Sequence, residues 1–331
     1  MITKTFIAKM PVYKITHKTK YTYNSPAREC INQIMLYPIQ DKVQKIMSHK
    51  ISISTNPQIE TFIDYFGNTI GLFSIVHPHQ ELMIISDVEI IASARDLPED
   101  KETASLQWDQ LASFRQQYPY VDFLQSESFG KTKDFLLFAN SVFDIHETPF
   151  KNALNFSTYI FEHFEYKKGI TSIETSVEEI WRLKAGVCQD FAHLLLLILR
   201  SIGIPSRYVS GYICPKNNEF RGVGATHAWV EAFVPNIGWI GLDPTNNCIA
   251  NERHIRLAVG RNFSDCTPVK GTYKGPSDHL LEVSVSINNN EMEMIEEIKN
   301  ENLVAYSTNN QPEKTSGNSY RIFMEQMQQQ Q

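Results

Sequence analysis

Over residues 12–92 apolar and polar positions alternate in short runs rich in β-branched and aromatic residues. Residues 12–23, 46–55, 69–76 and 82–92 read as strands. Asn24-Ser-Pro26, Tyr37-Pro38, Asn56-Pro57, Phe66-Gly-Asn68 and His77-Pro78 punctuate them. Short strands at this spacing predict an antiparallel sandwich or barrel. Phe66-Gly67-Asn68-Thr69 reads as a tight turn, because Gly and Asn accept positive φ cheaply.

A charged, proline-bearing stretch, Asp96-Leu-Pro-Glu-Asp-Lys101, then breaks the pattern and reads as a linker. Helical spacing follows over 104–117, 131–142, 149–165 and 175–183, with Phe150, Leu154, Ile160 and Phe161 near one face of the third. Pro149 suits a first helical turn, and Ser176 with Glu179 has capping-box spacing. In the next segment Phe191, Leu194, Leu195, Ile198 and Leu199 mark one face, and Ala192, Leu196 and Leu197 fill most of the other. A helix apolar nearly all round is a buried helix; Gly203 stops it. Residues 204–213 and 228–234 read as strands. Pro235-Asn-Ile-Gly238 reads as a hairpin turn, 239–243 as the returning strand and 280–287 as a late strand. Beyond about 309 the chain is polar and reads as disordered. No internal repeat is visible.

Cys188 opens the buried helix, after the turn Lys184-Ala-Gly-Val187. Unpaired N–H groups and the positive end of the helix dipole favour a thiolate there, and the thiolate is the nucleophilic form. A buried structural thiol is the plainer alternative. A cysteine nucleophile needs a base, and the base a third group to orient it. His227 begins a strand after a loop, and Asp243 ends the strand paired with it by the hairpin. That brings both toward one place, beside a helix end. Each alone reads more simply, His227 as a satisfied histidine and Asp243 as a turn former before Pro244.

Composition narrows the classes. The chain has 331 residues, 42% hydrophobic and 21% charged, with a net charge of −6. That is enough for a sizeable core, about two domains by length, and no basic nucleic-acid footprint. Its apolar run 194–199 is far short of the ~18 residues of a membrane helix. Lysines interrupt residues 1–10, which do not read as a signal peptide. The five cysteines are odd in number and lack a Cys-x-x-Cys pair, so neither a disulfide framework nor a zinc ribbon is expected. The reduced cytoplasm is then the expected compartment. Gly222-Val-Gly224 lacks the Lys-Ser/Thr of a phosphate loop.

Gly186-Val-Cys188-Gln-Asp-Phe-Ala-His193, Gly203-Ile-Pro-Ser-Arg-Tyr-Val-Ser-Gly-Tyr212, His227-Ala-Trp-Val-Glu231 and Gly238-Trp-Ile-Gly-Leu-Asp243-Pro-Thr-Asn together resemble the core of the transglutaminase-like superfamily. His17-x-Thr19-x-Tyr21-x-Tyr23, Leu36-Tyr-Pro38 and Asp64-x-Phe66-Gly-Asn68 resemble the N-terminal β region of its bacterial members. The segments 253–265 and 269–275 are similar to that subgroup's C-terminal part, so the resemblance covers about 12–287. It implies an α+β fold: a papain-like core, its nucleophile helix buried on an antiparallel sheet, preceded by an all-β domain. The implied division is 1–95 for the β domain, 96–130 for a linker with a short helix, 131–290 for the core and 291–331 for a polar tail.

The resemblance assigns the nucleophile to Cys188, the base to His227 and the orienting acid to Asp243, with the Cys188 backbone N–H as oxyanion donor. Tyr166, in Phe164-Glu-Tyr166, is the candidate second donor, and Trp229 a candidate substrate-binding residue or pocket wall. Asp190 suits the first helical turn and is a candidate partner for Arg207; His193 reads as a buried, hydrogen-bonded residue. The expected activity is hydrolysis of a peptide or amide bond on a peptide or protein substrate. No cofactor, metal, nucleic acid or membrane is expected. Two alternatives stay open: crosslinking of glutamine to an amine, and a triad-bearing scaffold without turnover.

Overall fold

A computed structural model describes residues 11–289, except positions 94–96, 98, 100, 126–131, 173–174, 215–220, 222–225 and 276–278. The expected polar tail and most of the loop before His227 lie outside the described residues. The chain runs β1 (Val12–Ile34), β2 (Gln44–Ile53), β3 (Glu60–Ile63), β4 (Thr69–Ile75) and β5 (His79–Ala92). The helices α1 (Ala104–Phe114), α2 (Thr132–Val142) and α3 (Pro149–His163) follow. Next come β6 (Glu165–Tyr166), α4 (Val177–Leu183), β7 (Ala185–Gly186) and α5 (Cys188–Ser201). The described residues end with β8 (Ser206–Ile213), β9 (His227–Val234), β10 (Gly238–Asp243), β11 (Cys248–Ile249), β12 (His254–Gly260), β13 (Val269–Lys274) and β14 (His279–Asn289).

Local chemistry accounts for many of the boundaries. Thr148 caps α3 by accepting from Lys151 N–H at 3.3 Å, with Pro149 in the first turn. Ser176 Oγ accepts from Glu179 N–H at 3.2 Å and starts α4. Gly203, at φ +88°, ends α5, and Ile204 N–H bonds back to Leu199 C=O at 2.9 Å, the six-to-one bond of a Schellman end. Asn236 at φ 62° and Gly238 at φ 92° turn the hairpin between β9 and β10.

Two antiparallel sheets result. One has the order β11-β10-β9-β8-β12. On it α5 packs against β8 and β9, α3 lies beside it against β9 and β10, and α4 also packs on α5. Ala228, Val230 and Ala232 of β9 share one apolar cluster with Phe191, Leu194, Leu195 and Ile198 of α5, which is the α+β core expected of the family. The other sheet has the order β2-β5-β1-β4-β3, with β13 and β14 also on β1. Here the molecule departs from the division drawn above. Residues 269–289 fell within the expected core, yet β14 pairs with β1 from Tyr13↔Asn289 to Tyr23↔His279, and β13 pairs with its second half. The expected turn at Asn24-Ser-Pro26 is a register shift between Thr22 and Ala27 inside one long strand, whose two halves on either side of the shift are both paired.

The two sheets meet along β12, the edge of the sheet that carries α5. Val259 N–H donates to Asn68 Oδ1 at 2.8 Å, and Asn68 Nδ2 donates to Val259 C=O at 2.7 Å. Gln44 repeats the pattern at Arg256: its Oε1 accepts from Arg256 N–H at 2.9 Å and its Nε2 donates to Arg256 C=O at 2.8 Å. Two side-chain amides thus stand in for a neighbouring strand and satisfy an edge that would otherwise be open. His17 makes a further bridge, its Nδ1 lying 2.9 Å from the Tyr212 hydroxyl of β8.

Candidate active site

Cys188 is the first residue of α5 and is fully buried. Its approach is fixed by a short parallel ladder, Glu165↔Ala185 and Tyr166↔Gly186. Lys184 makes the bend into that ladder at φ 51°, its ammonium 3.0 Å above the Trp181 ring. Burial pushes this lysine down to about 8. Asp190, one turn into the helix, folds its carboxylate back to accept from Val187 N–H at 2.8 Å and from the Thr171 hydroxyl at 2.6 Å. Only glycine fits at 186, since a Cβ there would lie 2.5 Å from Asp190 Oδ2.

His227 and Asp243 come together as the hairpin predicts. His227 Nε2 lies 2.8 Å from Asp243 Oδ2, and both side chains are fully buried. Asp243 is heavily solvated by protein. Its Oδ1 accepts from the N–H groups of Thr245 at 2.9 Å and Asn246 at 3.2 Å, and its Oδ2 also accepts from Asn246 Nδ2 at 2.8 Å. Burial works to raise this carboxyl, but the His227 charge and hydrogen bond, followed by His254, hold it well below the usual carboxylate range. Burial likewise works to lower His227, yet Asp243 and then Cys188 carry it up to about 10. Since Asp243 occupies Nε2, Nδ1 is the nitrogen left for the thiol. It is buried and has no hydrogen bond of ordinary geometry among the described residues. A loose contact of this kind is common before substrate binds.

Residues 138–244 match the transglutaminase-like superfamily, and residues 13–91 match the bacterial transglutaminase-like N-terminal region. The chain belongs to the transglutaminase-like superfamily. An uncharacterized protein of Mycobacterium leprae is 30% identical over 277 residues, 83% of this chain and 97% of that one. A protein-glutamine gamma-glutamyltransferase of Pseudomonas aeruginosa is 32% identical over 102 residues, 28% of this chain and 15% of that protein. Among solved structures, a candidate cysteine protease of Cytophaga hutchinsonii superposes with a TM-score of 0.69 at 18% identity, covering 90% of this chain and 97% of that one. At that identity the likeness shows the fold.

The remaining expected site residues of this transglutaminase-like chain lie around that centre. Tyr166, half-buried, sits edge-on to Phe191 with ring centroids 6.4 Å apart. Burial raises its phenol, and the charges of Cys188, Asp190 and Asp243 add to the effect, so all three lie within electrostatic reach. Trp229 stands behind His227, ring centroids 6.1 Å apart, and is 1% exposed. Its indole N–H has no partner among the described residues and faces a cleft lined by Gly241, Ala250 and His254. Arg207 pairs with Glu231, Nε to Oε2 2.7 Å, instead of with Asp190, because strand alternation aims it along β9 while Asp190 is turned toward Val187. His193 Nε2 accepts from Phe263 N–H at 3.1 Å, and burial holds the ring down to about 4, the satisfied histidine expected.

Sequence reasoning missed two residues at Asp243. Asn246 follows three positions later in the same turn. His254 opens β12 and places Nε2 3.3 Å from Asp243 Oδ2. The signals it offered were its place in the family-like segment 253–265 and at a strand start, like that of His227. The ligand atoms of His227, Asp243 and His254 all lie within 4.8 Å of one another, near enough to hold a metal ion. In this structure both imidazoles direct Nε2 at the carboxylate, so the three form a hydrogen-bonded relay. No helix among the described residues is long and apolar enough to cross a membrane.

Proposed function

We propose that this protein is a cysteine-dependent acyl-transfer enzyme that hydrolyses a peptide-like amide through a thioester on Cys188. The observation that carries this is the 2.8 Å His227–Asp243 contact, which leaves Nδ1 of a cationic ring for a thiol at a helix N-terminus. A cationic imidazole beside a thiol is the arrangement in which the thiolate acts as nucleophile. In this reading Cys188 Sγ attacks the amide carbonyl. The oxyanion is held by the Cys188 backbone N–H, one of the donors a helix start leaves unused, and by the Tyr166 hydroxyl. The tetrahedral adduct collapses as His227 gives its Nδ1 proton to the departing amine. Neutral His227 then takes a proton from water, which attacks the thioester. Carboxylic acid leaves, the thiolate returns, and His227 is again cationic. Asp243 keeps the ring in place through both halves.

Similarity to a protein-glutamine gamma-glutamyltransferase supports a second reading, in which an amine resolves the same thioester. The choice depends on whether an amine outcompetes water in the site. The test is ammonia release from a capped glutamine dipeptide, with and without a labelled primary amine. Hydrolysis predicts free glutamate product in both, and transfer predicts incorporated amine. Full activity in Cys188→Ala would rule out both. A scaffold without turnover predicts that Cys188 reacts with a thiol probe no faster than the other cysteines.

A further inference from the structure

We propose that His254 is a positioning residue that holds the Asp243 carboxylate on His227, and that Gln44 of the N-terminal region supports it by fixing β12. The inference rests on the acyl-transfer reading above, because it assigns a support to that reading's His–Asp pair. The proton on His254 can be placed. Nδ1 has two neighbours on Asn251, the backbone N–H, which donates to it at 3.2 Å, and Oδ1 at a longer 3.4 Å; the shorter contact makes Nδ1 an acceptor and puts the hydrogen on Nε2, where the Asp243 carboxylate favours it. From there it points at Asp243 Oδ2, 3.3 Å away, the same oxygen that His227 and Asn246 approach at 2.8 Å. The ring is buried and wedged against Trp229, centroids 5.2 Å apart and nearly perpendicular.

The charge state suits this task. Asp243, His227 and Glu252 are the titratable groups acting on His254, with Glu231 and Arg256 lining the same cleft. Burial lowers the ring, against the pull of Asp243. His254 is then a neutral donor. It fixes the carboxylate without adding a second cation beside His227, which must itself carry charge. Three donors on Oδ2 and two on Oδ1 also keep the shared proton on His227 instead of on Asp243.

The hairpin touches the His254 ring through Trp229 and Asp243, but the residue itself stands on another strand, β12. Two residues on, Arg256 is bound by Gln44 through both backbone groups, and Ile39 N–H reaches the same carbonyl at 3.0 Å. The Arg256 guanidinium pairs with Asp41 at 2.5 Å. β12 is thus held by β8 on one edge, with His254 opposite Ile213, and by the N-terminal region on the other, and β12 sets where His254 meets Asp243.

The test measures alkylation of Cys188 by iodoacetamide from pH 5 to 9, read by mass spectrometry, together with NMR titration of the His227 ring. Thermal unfolding of each variant is measured in parallel. Losing one hydrogen bond to a charged group should slow alkylation near pH 6 about ten-fold in His254→Phe. His227 should titrate about one unit lower. His254→Gln, whose amide nitrogen falls near the position of Nε2, should recover most of the rate; His254→Asn, whose amide falls near Nδ1, should not. Gln44→Ala should slow alkylation in the same direction and add nothing in the His254→Phe background. A folded His254→Phe with the wild-type alkylation profile and His227 titration overturns the proposal. If that variant fails to fold, equal behaviour of the Gln and Asn variants overturns it. If wild-type Cys188 reacts no faster than the other thiols, the acyl-transfer reading fails by itself, and the His227 titration alone then decides for or against His254.

Discussion

Asn68→Ala tests the seam between the two sheets. Asn68 is 1% exposed and Val259, its partner, 4%. Truncation removes bonds of 2.7 and 2.8 Å to Val259 and one of 2.9 Å to Asp64 Oδ2, and leaves the Val259 N–H and C=O facing a space too enclosed for free hydration. Each buried backbone group left without a partner costs about 1–3 kcal/mol. One water entering the vacated space recovers part of that. A loss of about 3 kcal/mol is therefore expected. With about 2.1 cal/mol/K of unfolding entropy per residue, that shifts the thermal midpoint by about 4–5 °C. Urea unfolding should show the loss as a lower midpoint at unchanged slope. Asn68→Asp sharpens the test. A turn residue tolerates Asp, whereas an amide bonded to both groups of one residue does not, since Asp would set an acceptor against the Val259 carbonyl. The reasoning is refuted if Asp at 68 is within about 0.5 kcal/mol of wild type.

Three further outcomes are expected. Asp243→Asn should lower kcat by about four orders of magnitude with the fold kept, because an amide cannot hold His227 in the required state; steady-state kinetics on the glutamine dipeptide checks this. His227 is raised from 6.5 to about 10, so the stability it draws from Asp243 is fully present below pH 6.5 and lost as pH rises through about 10. Urea unfolding at pH 6, 8 and 10 should show that decline in wild type and not in His227→Gln. Gly186→Ala should displace Asp190 and slow Cys188 alkylation, because a Cβ at 2.5 Å from the carboxylate forces it off Val187 N–H; the rate measured beside a thermal scan separates this from unfolding.

What was legible in the sequence was local. The all-round apolar run could only be a buried helix, and Cys188 stands at its first position. The β9–β10 hairpin was readable from alternation around Asn236 and Gly238, and it brings His227 to Asp243. What stayed hidden was distant. Nothing near residue 283 marks Val283 as the partner of Thr19, because strand pairing leaves no local trace of which strand is chosen. Asn68 looked like a turn former, and its other role depends on a strand edge 191 positions later. His254 lay within the family-like segment 253–265, yet nothing there marked it as a donor to Asp243, since its work needs only one donor at the right place.

The long strand β1 has a consequence for how the protein is made. One of its edges is covered by β4 and β5, which leave the ribosome soon after it. The other waits for β13 and β14. At about 5–20 residues per second, the interval between residues 12 and 289 is roughly 15–60 s. Through that time the nascent chain carries an unmatched strand, open to a neighbouring copy on the same message or to a chaperone. The last strand among the described residues is the one that ends this exposure.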